Sequence, residues 1–260
     1  MTTSLLNSLL RALLRWGAAM VFCLPLRHRS HFWARVCGML FPLLLLAQLL
    51  DPLAQSTTLW QQQLLLLALY ISFFALLGGM IYLCTDINKK GAMYCAVWSL
   101  LIAQCAYEGW CFLELQFARY GHPLNMASPW AVLVQLLSGA VFFAAVYLLL
   151  ARQLPYKGEY HIGPRQLLSS FFIGSLFMVQ AAVLSDTSID SWPPSLVATL
   201  VTGQLYFLTL LYFQTELFKK SAMEKEMNAL NLLYERQRQQ YQVARQNVQI
   251  INKRCHELKV

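Results

Sequence analysis

Seven apolar blocks separated by short polar joints carry the chain as far as Phe218. They run at about Leu5–Leu26, Arg35–Leu50, Leu59–Cys84, Ala92–Phe117, Trp130–Leu150, Leu167–Leu184 and Leu196–Phe218. Most approach or exceed the roughly 20 residues that an α-helix needs to cross a hydrocarbon core about 30 Å thick. Runs such as Leu43 to Leu46 and Leu64 to Leu67 are apolar at every position. The period-two alternation of a membrane β-barrel does not allow that. The pattern predicts an all-α membrane protein with a polytopic bundle of about seven transmembrane helices. Arg11 and Arg15 are costly in lipid. They leave open a second version, in which the first block lies in the interface and six helices cross.

After Lys220 the pattern changes. Residues 221–260 are polar, rich in Gln, and contain neither Pro nor Gly. Their apolar positions follow an alternating 4-3 spacing: Met223, Met227, Leu230, Tyr234, then Gln237, then Tyr241, Ala244, Val248, Ile251, Cys255 and Leu258. This is the seam of a left-handed coiled coil over about five heptads. A helix this polar persists in water only against a partner, and the simplest partner is the same helix of a second copy. The reading is a homodimer through 221–260, with Gln237 weakening the seam locally or fixing its register. Two domains follow: a transmembrane domain over 1–218 and a long cytoplasmic dimeric coiled-coil helix over 219–260.

Charge supplies the orientation. The joints after blocks one, three, five and seven hold most of the Lys and Arg, while those after two and six hold Asp51, Asp186 and Asp190. The joint after block four is mixed, with Arg119 and His122. The positive-inside rule then places the N-terminus outside and the C-terminus in the cytoplasm of a multi-pass cell-membrane protein. Trp60, Trp130 and Trp192 fall at the outer interface, where an aromatic belt belongs. With 58% hydrophobic and 12% charged residues, the chain carries too little charge to cover a soluble domain of 260 residues. The net charge of +8 sits beside the apolar blocks. Topology and anionic lipid headgroups account for it there, so the lipid bilayer is the expected partner and nucleic acid is not. The seven cysteines form no CxxC pair and lie mostly inside apolar blocks, which implies small buried hydrophobes and neither a disulfide framework nor a metal site. No short apolar stretch with a small-residue cleavage site opens the chain, so the first block reads as retained.

Polar groups inside the blocks are candidates for function. Arg11 and Arg15 stand one turn apart in block one; Glu108 and Glu114 occupy the outer half of block four, near Tyr107 and Trp110. Gln104, Gln135, Gln180 and Gln204 add polar points elsewhere. One reading is an outward-facing pocket for a peptide or small-molecule ligand, with Glu108 meeting a cationic group and aromatics covering it. The other is an internal pair between Glu108 and Arg11 or Arg15, with the glutamines joining helices. At the far end, His256 stands one position off the coiled-coil seam, beside Glu257. A neutral imidazole is a nucleophile for a phosphoryl group, and a neighbouring carboxylate can orient it and take its proton. An exposed His beside a Glu is also an ordinary helix surface.

The order of parts adds weight to the first of those readings. A multi-pass bundle, a cytoplasmic coiled coil and then His256-Glu257-Leu258-Lys259 resembles the GHKL-type sensor histidine kinases of Gram-positive bacteria. That family includes the accessory-gene-regulator peptide-pheromone receptors of quorum sensing. The resemblance implies that His256 is the phospho-acceptor, that Glu257 is the acidic neighbour assisting phosphotransfer, and that Lys259 matches a frequent basic residue of the motif. It implies a cognate response regulator as a partner. It also implies a catalytic domain using ATP and Mg, for which this chain has neither the Asn and Gly-rich boxes nor a P-loop. The expectation is a natural protein that continues beyond Val260, with no cofactor held by this portion and no kinase activity in it alone. Val260 departs from the Asn or His frequent in the family at that place. The alternative is a non-enzymatic membrane scaffold or receptor that dimerises through its coiled coil. A transporter would call for internal repeats or broken helices, and Pro42 and Pro193-Pro194 are not placed symmetrically. The loop motifs of G-protein-coupled receptors are absent from the sequence.

Overall fold

The computed structural model describes residues 2–55, 59–121, 129–153, 163–185 and 194–257. Those residues are almost entirely helical and contain no strand. The helices are α1 (Thr2–Cys23), α2 (Phe32–Gln55), α3 (Leu59–Cys84), α4 (Lys89–Arg119), α5 (Pro129–Leu149), α6 (Pro164–Ser185) and α7 (Pro194–Glu257). Each apolar block lies within one helix, and the first six helices end within about five residues of the pattern, while α7 runs on past the seventh block to Glu257. Among the first six the main difference is α2, whose apolar block stops at Leu50, before Asp51-Pro52, while the helix runs on to Gln55. Pro52 removes only the hydrogen bond to the Gln48 carbonyl, one turn from the end, so a last turn survives it.

Local chemistry explains several boundaries. α5, α6 and α7 each begin on Pro, whose fixed φ suits the first helical position and whose missing N–H is not needed there. Ahead of α6, the Gly163 N–H donates to the Gln166 side-chain oxygen at 2.8 Å, the reach-back half of a capping box. α4 ends where Gly121 adopts φ +78°, a left-handed conformation that glycine takes without a Cβ penalty. Its N–H donates to the Ala118 carbonyl at 3.1 Å.

The chain divides into two compact units, Met1–Tyr212 and Phe213–Val260. In the first, α4 is the most enclosed helix and packs against α1, α3, α5 and α6; α1 in turn packs against α2, α3, α4 and α5. Polarity decides these positions. α1 carries Arg11 and Arg15, and α4 carries Ser99, Gln104, Glu108 and Glu114. In an apolar medium such groups belong inside the bundle, where other side chains can meet them. α5 is nearly free of polar residues and lies at the periphery. Its Trp130, Leu133, Leu137, Val141 and Leu148 form one exposed stripe, opposite buried Ala131, Gln135, Gly139 and Val146. α2 has a similar exposed face in Trp33, Phe41 and Leu45. Apolar stripes of this extent on several helices are an aggregation hazard in water and an ordinary surface in lipid.

Among the described residues, three helical stretches are long and apolar enough to cross a membrane: Leu67–Cys84 within α3, Lys89–Arg119 and Pro129–Leu149. Phe32–Gln48 and Gln166–Phe177 are shorter apolar stretches among the described residues.

Two joints are tied together. The segment between α1 and α2 meets the segment between α3 and α4 through an isolated antiparallel bridge, His28 with Thr85. Arg29 N–H donates to the Cys84 carbonyl at 3.0 Å, and Asp86 N–H to the Arg27 carbonyl at 2.8 Å. Arg35 Nη1 adds a 2.7 Å bond to the Leu83 carbonyl. The joints after blocks one and three therefore lie together at one end of the bundle. We call this structure the clip.

Close helix contact depends on glycine at three places. A Cβ on Gly17 of α1 would lie 2.9 Å from the Phe143 ring of α5. On Gly139 it would lie 3.0 Å from Leu14, and on Gly174 of α6, 3.0 Å from Val97 of α4. Small residues at such points let membrane helices approach. Gly17→Leu forces α1 and α5 apart, an overpacking cost of about 1–3 kcal/mol. The expected result is a lower melting temperature for the purified protein. Gly38→Ala meets nothing within 4 Å and should leave the melting temperature unchanged or raise it.

Candidate functional site

The polar residues inside the bundle converge on one seam between α1, α3 and α4. The Arg15 guanidinium lies over the Phe73 ring, 3.8 Å from its centroid, and Arg11 lies 5.7 Å from the centroid of Tyr107. Arg15 is buried. A cation stacked on an aromatic face exchanges lost hydration for the ring quadrupole, and the exchange is worth most where water is excluded. One turn apart on α1, the two arginines thus reach two different neighbours, α3 and α4.

On α4, Glu108 is buried at 6% exposure. Gln104, one turn earlier, donates its amide to Glu108 Oε1 at 3.4 Å, a long contact. Tyr107 and Cys111 are joined by a side-chain hydrogen bond, and the charges of Arg11, Glu108 and Glu114 all act on Cys111. Arg11, Tyr107, Glu108, Cys111 and Glu114 therefore form one electrostatic cluster. Trp110 is almost fully buried, and its indole N–H has no hydrogen-bond partner. Among the described residues, no group of His, Cys, Asp and Glu is placed to hold a metal ion.

The structure thus brings together Arg11, Tyr107 and Glu108 of the residues named from sequence, with Arg15 one turn further along α1. Sequence reasoning missed Phe73. It is one apolar residue among many in the third block, and nothing in the pattern marks it as a cation's partner. The Gln104–Glu108 contact did have a signal, the i,i+4 spacing on one helix. Helix α7 extends to Glu257, so His256 is helical, and both residues belong to the second unit. The side chains of His256 and Glu257 lie outside the described residues, as do Leu258 and Lys259 altogether. Gln180 is likewise in a helix, with its side chain outside the description, and Asp186, Asp190 and Trp192 fall outside it.

In the second unit, the chain is helical from Phe213 to Glu257, a rod of roughly 65 Å at about 1.5 Å per residue. Every described seam residue from Met223 to Ile251 is exposed. Tyr234 and Tyr241 are each about 70% exposed, so within the second unit none of the described residues covers the seam.

No protein-family model, curated protein or solved structure matches this chain.

The buried cluster yields two expectations. A double-mutant cycle of Arg15→Met and Phe73→Leu should show a coupling of about 1–2 kcal/mol in thermal unfolding. A coupling near zero would mean that the ring does not hold the cation. Glu108→Gln removes a buried negative charge from a cluster containing Arg11, so it should reduce the folded protein extracted from membranes. If the yield stays the same while a ligand response is lost, Glu108 contacts ligand instead.

Proposed function

We propose that this chain is the membrane sensor portion of a two-component sensor histidine kinase. In this reading, about seven helices cross the cell membrane, with the N-terminus outside and the C-terminus in the cytoplasm. A peptide or small-molecule ligand biases the bundle between two arrangements. Residues 221–260 pair with those of a second copy, and the pair presents His256 to a catalytic domain that supplies ATP and Mg. The imidazole attacks the γ-phosphorus of ATP, a P–N bond forms, and ADP leaves with the electrons of the broken P–O bond. Glu257 orients the ring and takes its proton. A response regulator receives the phosphoryl group.

The observation that carries this reading is α7, one unbroken helix from Pro194 to Glu257. It begins apolar, continues as a 4-3 seam and bears His256 in its last turn. In this reading a rotation or slide at one end of the helix is passed along it. Burial of α1 among four other helices favours seven crossings over six, because an interfacial helix would keep a polar face toward water.

The test uses cells expressing the complete reading frame. Acid-labile phosphate is expected on His256, and His256→Gln should remove it while leaving membrane insertion intact. Leu230→Asp, which places a charge in the seam, should abolish both the label and cross-linking of two copies. If His256→Gln leaves function untouched while Leu230→Asp destroys it, the chain is a dimerising scaffold and the kinase reading fails.

A further inference from the structure

The clip gathers charge from two distant parts of the chain. From one joint and the helix after it come Arg27, Arg29 and Arg35; from the other come Lys89 and Lys90. Asp86 is the only acidic residue in these two segments. Its carboxylate lies 3.7 Å from Arg29, is 60% exposed, and offsets one of five positive charges. His28 and His31 of the first segment are exposed, as are Lys89 and Lys90 at the start of α4.

Three further features mark the kind of partner that fits. α2 and α4 both begin at the clip, and neither has an acidic residue in its first turn. Asn88, ahead of α4, makes no side-chain capping bond, so the first-turn N–H groups add positive potential unopposed. Trp33 is 64% exposed one residue into α2, where an indole sits at a headgroup boundary. Apolar Leu24 and Leu83 are also exposed beside the basic groups. A soluble anion would meet the charge but has no use for the apolar rim.

We infer that the clip is a binding site for anionic phospholipid, with the headgroup phosphate held by Lys89, Lys90 and the arginines and the acyl chains lying along Trp33 and Leu83. Backbone hydrogen bonds hold the two basic segments in place before the lipid arrives, so the site is preorganised. By bridging both joints, the lipid fastens α1 and α2 to α3 and α4. The inference stands on the clip alone and does not depend on the role of His256.

The experiment compares phosphatidylglycerol, phosphatidylcholine and inorganic phosphate added to the purified full chain in detergent. The readouts are thermal unfolding and native mass spectrometry. Phosphatidylglycerol should raise the melting temperature and remain bound, and the other two should do neither. The Lys89→Gln/Lys90→Gln variant should lose about thirtyfold in apparent affinity for phosphatidylglycerol. Lys219→Gln/Lys220→Gln, remote in sequence, should lose none. Asp86→Asn deletes the competing carboxylate and should tighten binding about threefold, a readout that survives if the lysine variant folds poorly. Equal stabilisation by phosphatidylcholine or by inorganic phosphate overturns the proposal. So does unchanged affinity in the lysine variant, or weaker binding in Asp86→Asn.

Discussion

Two guanidinium groups inside an apolar bundle constrain the whole arrangement of the first unit. A charge moved out of water must find compensation close at hand. Arg15 finds the face of Phe73 on α3, and Arg11 finds Tyr107 on α4. Both contacts require α3 and α4 to flank α1 at once. α1 is therefore an interior helix despite being the first in the chain, and α2 follows it through Trp16, whose indole N–H donates to the Val36 carbonyl at 3.1 Å. The acids of α4 complete the cluster from the other side. A helix with few polar groups, such as α5, takes the outside.

Much of this was legible in the sequence because hydrophobic block length is a strong signal. A helix in an apolar medium satisfies its own backbone groups, so its ends follow the ends of the apolar run. α3 spans Leu59–Cys84, the same residues as the third block. The polar side chains of blocks one and four also pointed to a common site, since an apolar bundle offers few places for them. Choice of partner was not legible. Phe73 resembles its neighbours in composition, and only packing selects it. The clip was hidden too, because the pairing of His28 with Thr85 depends on where two helices end in space. The charge pattern marked both joints as basic without foretelling that they touch.

The two units present apolar surface in different forms. On the first, broad stripes such as Trp130 to Leu148 are wide, contiguous and unpatterned beyond one helix face. On the second, the exposed apolar residues keep a narrow 4-3 register among glutamines and charges. A broad stripe accepts any apolar neighbour, whereas a narrow register selects a helix with the same period. The two units thus carry apolar surface of different selectivity.

The contacts of Arg11 also bear on how the protein is made. Its partner Tyr107 emerges from the ribosome roughly a hundred residues later, an interval of about 5–20 s at ordinary elongation rates. Arg15 gains the Phe73 ring when α3 is made, and Arg11 gains Tyr107 only later, with α4; an apolar medium is a poor place for either cation before its ring arrives. The packed position of α1 is therefore reached only after α3 and most of α4 have been made. Docking of the first helix is then a late event, coupled to synthesis of the fourth.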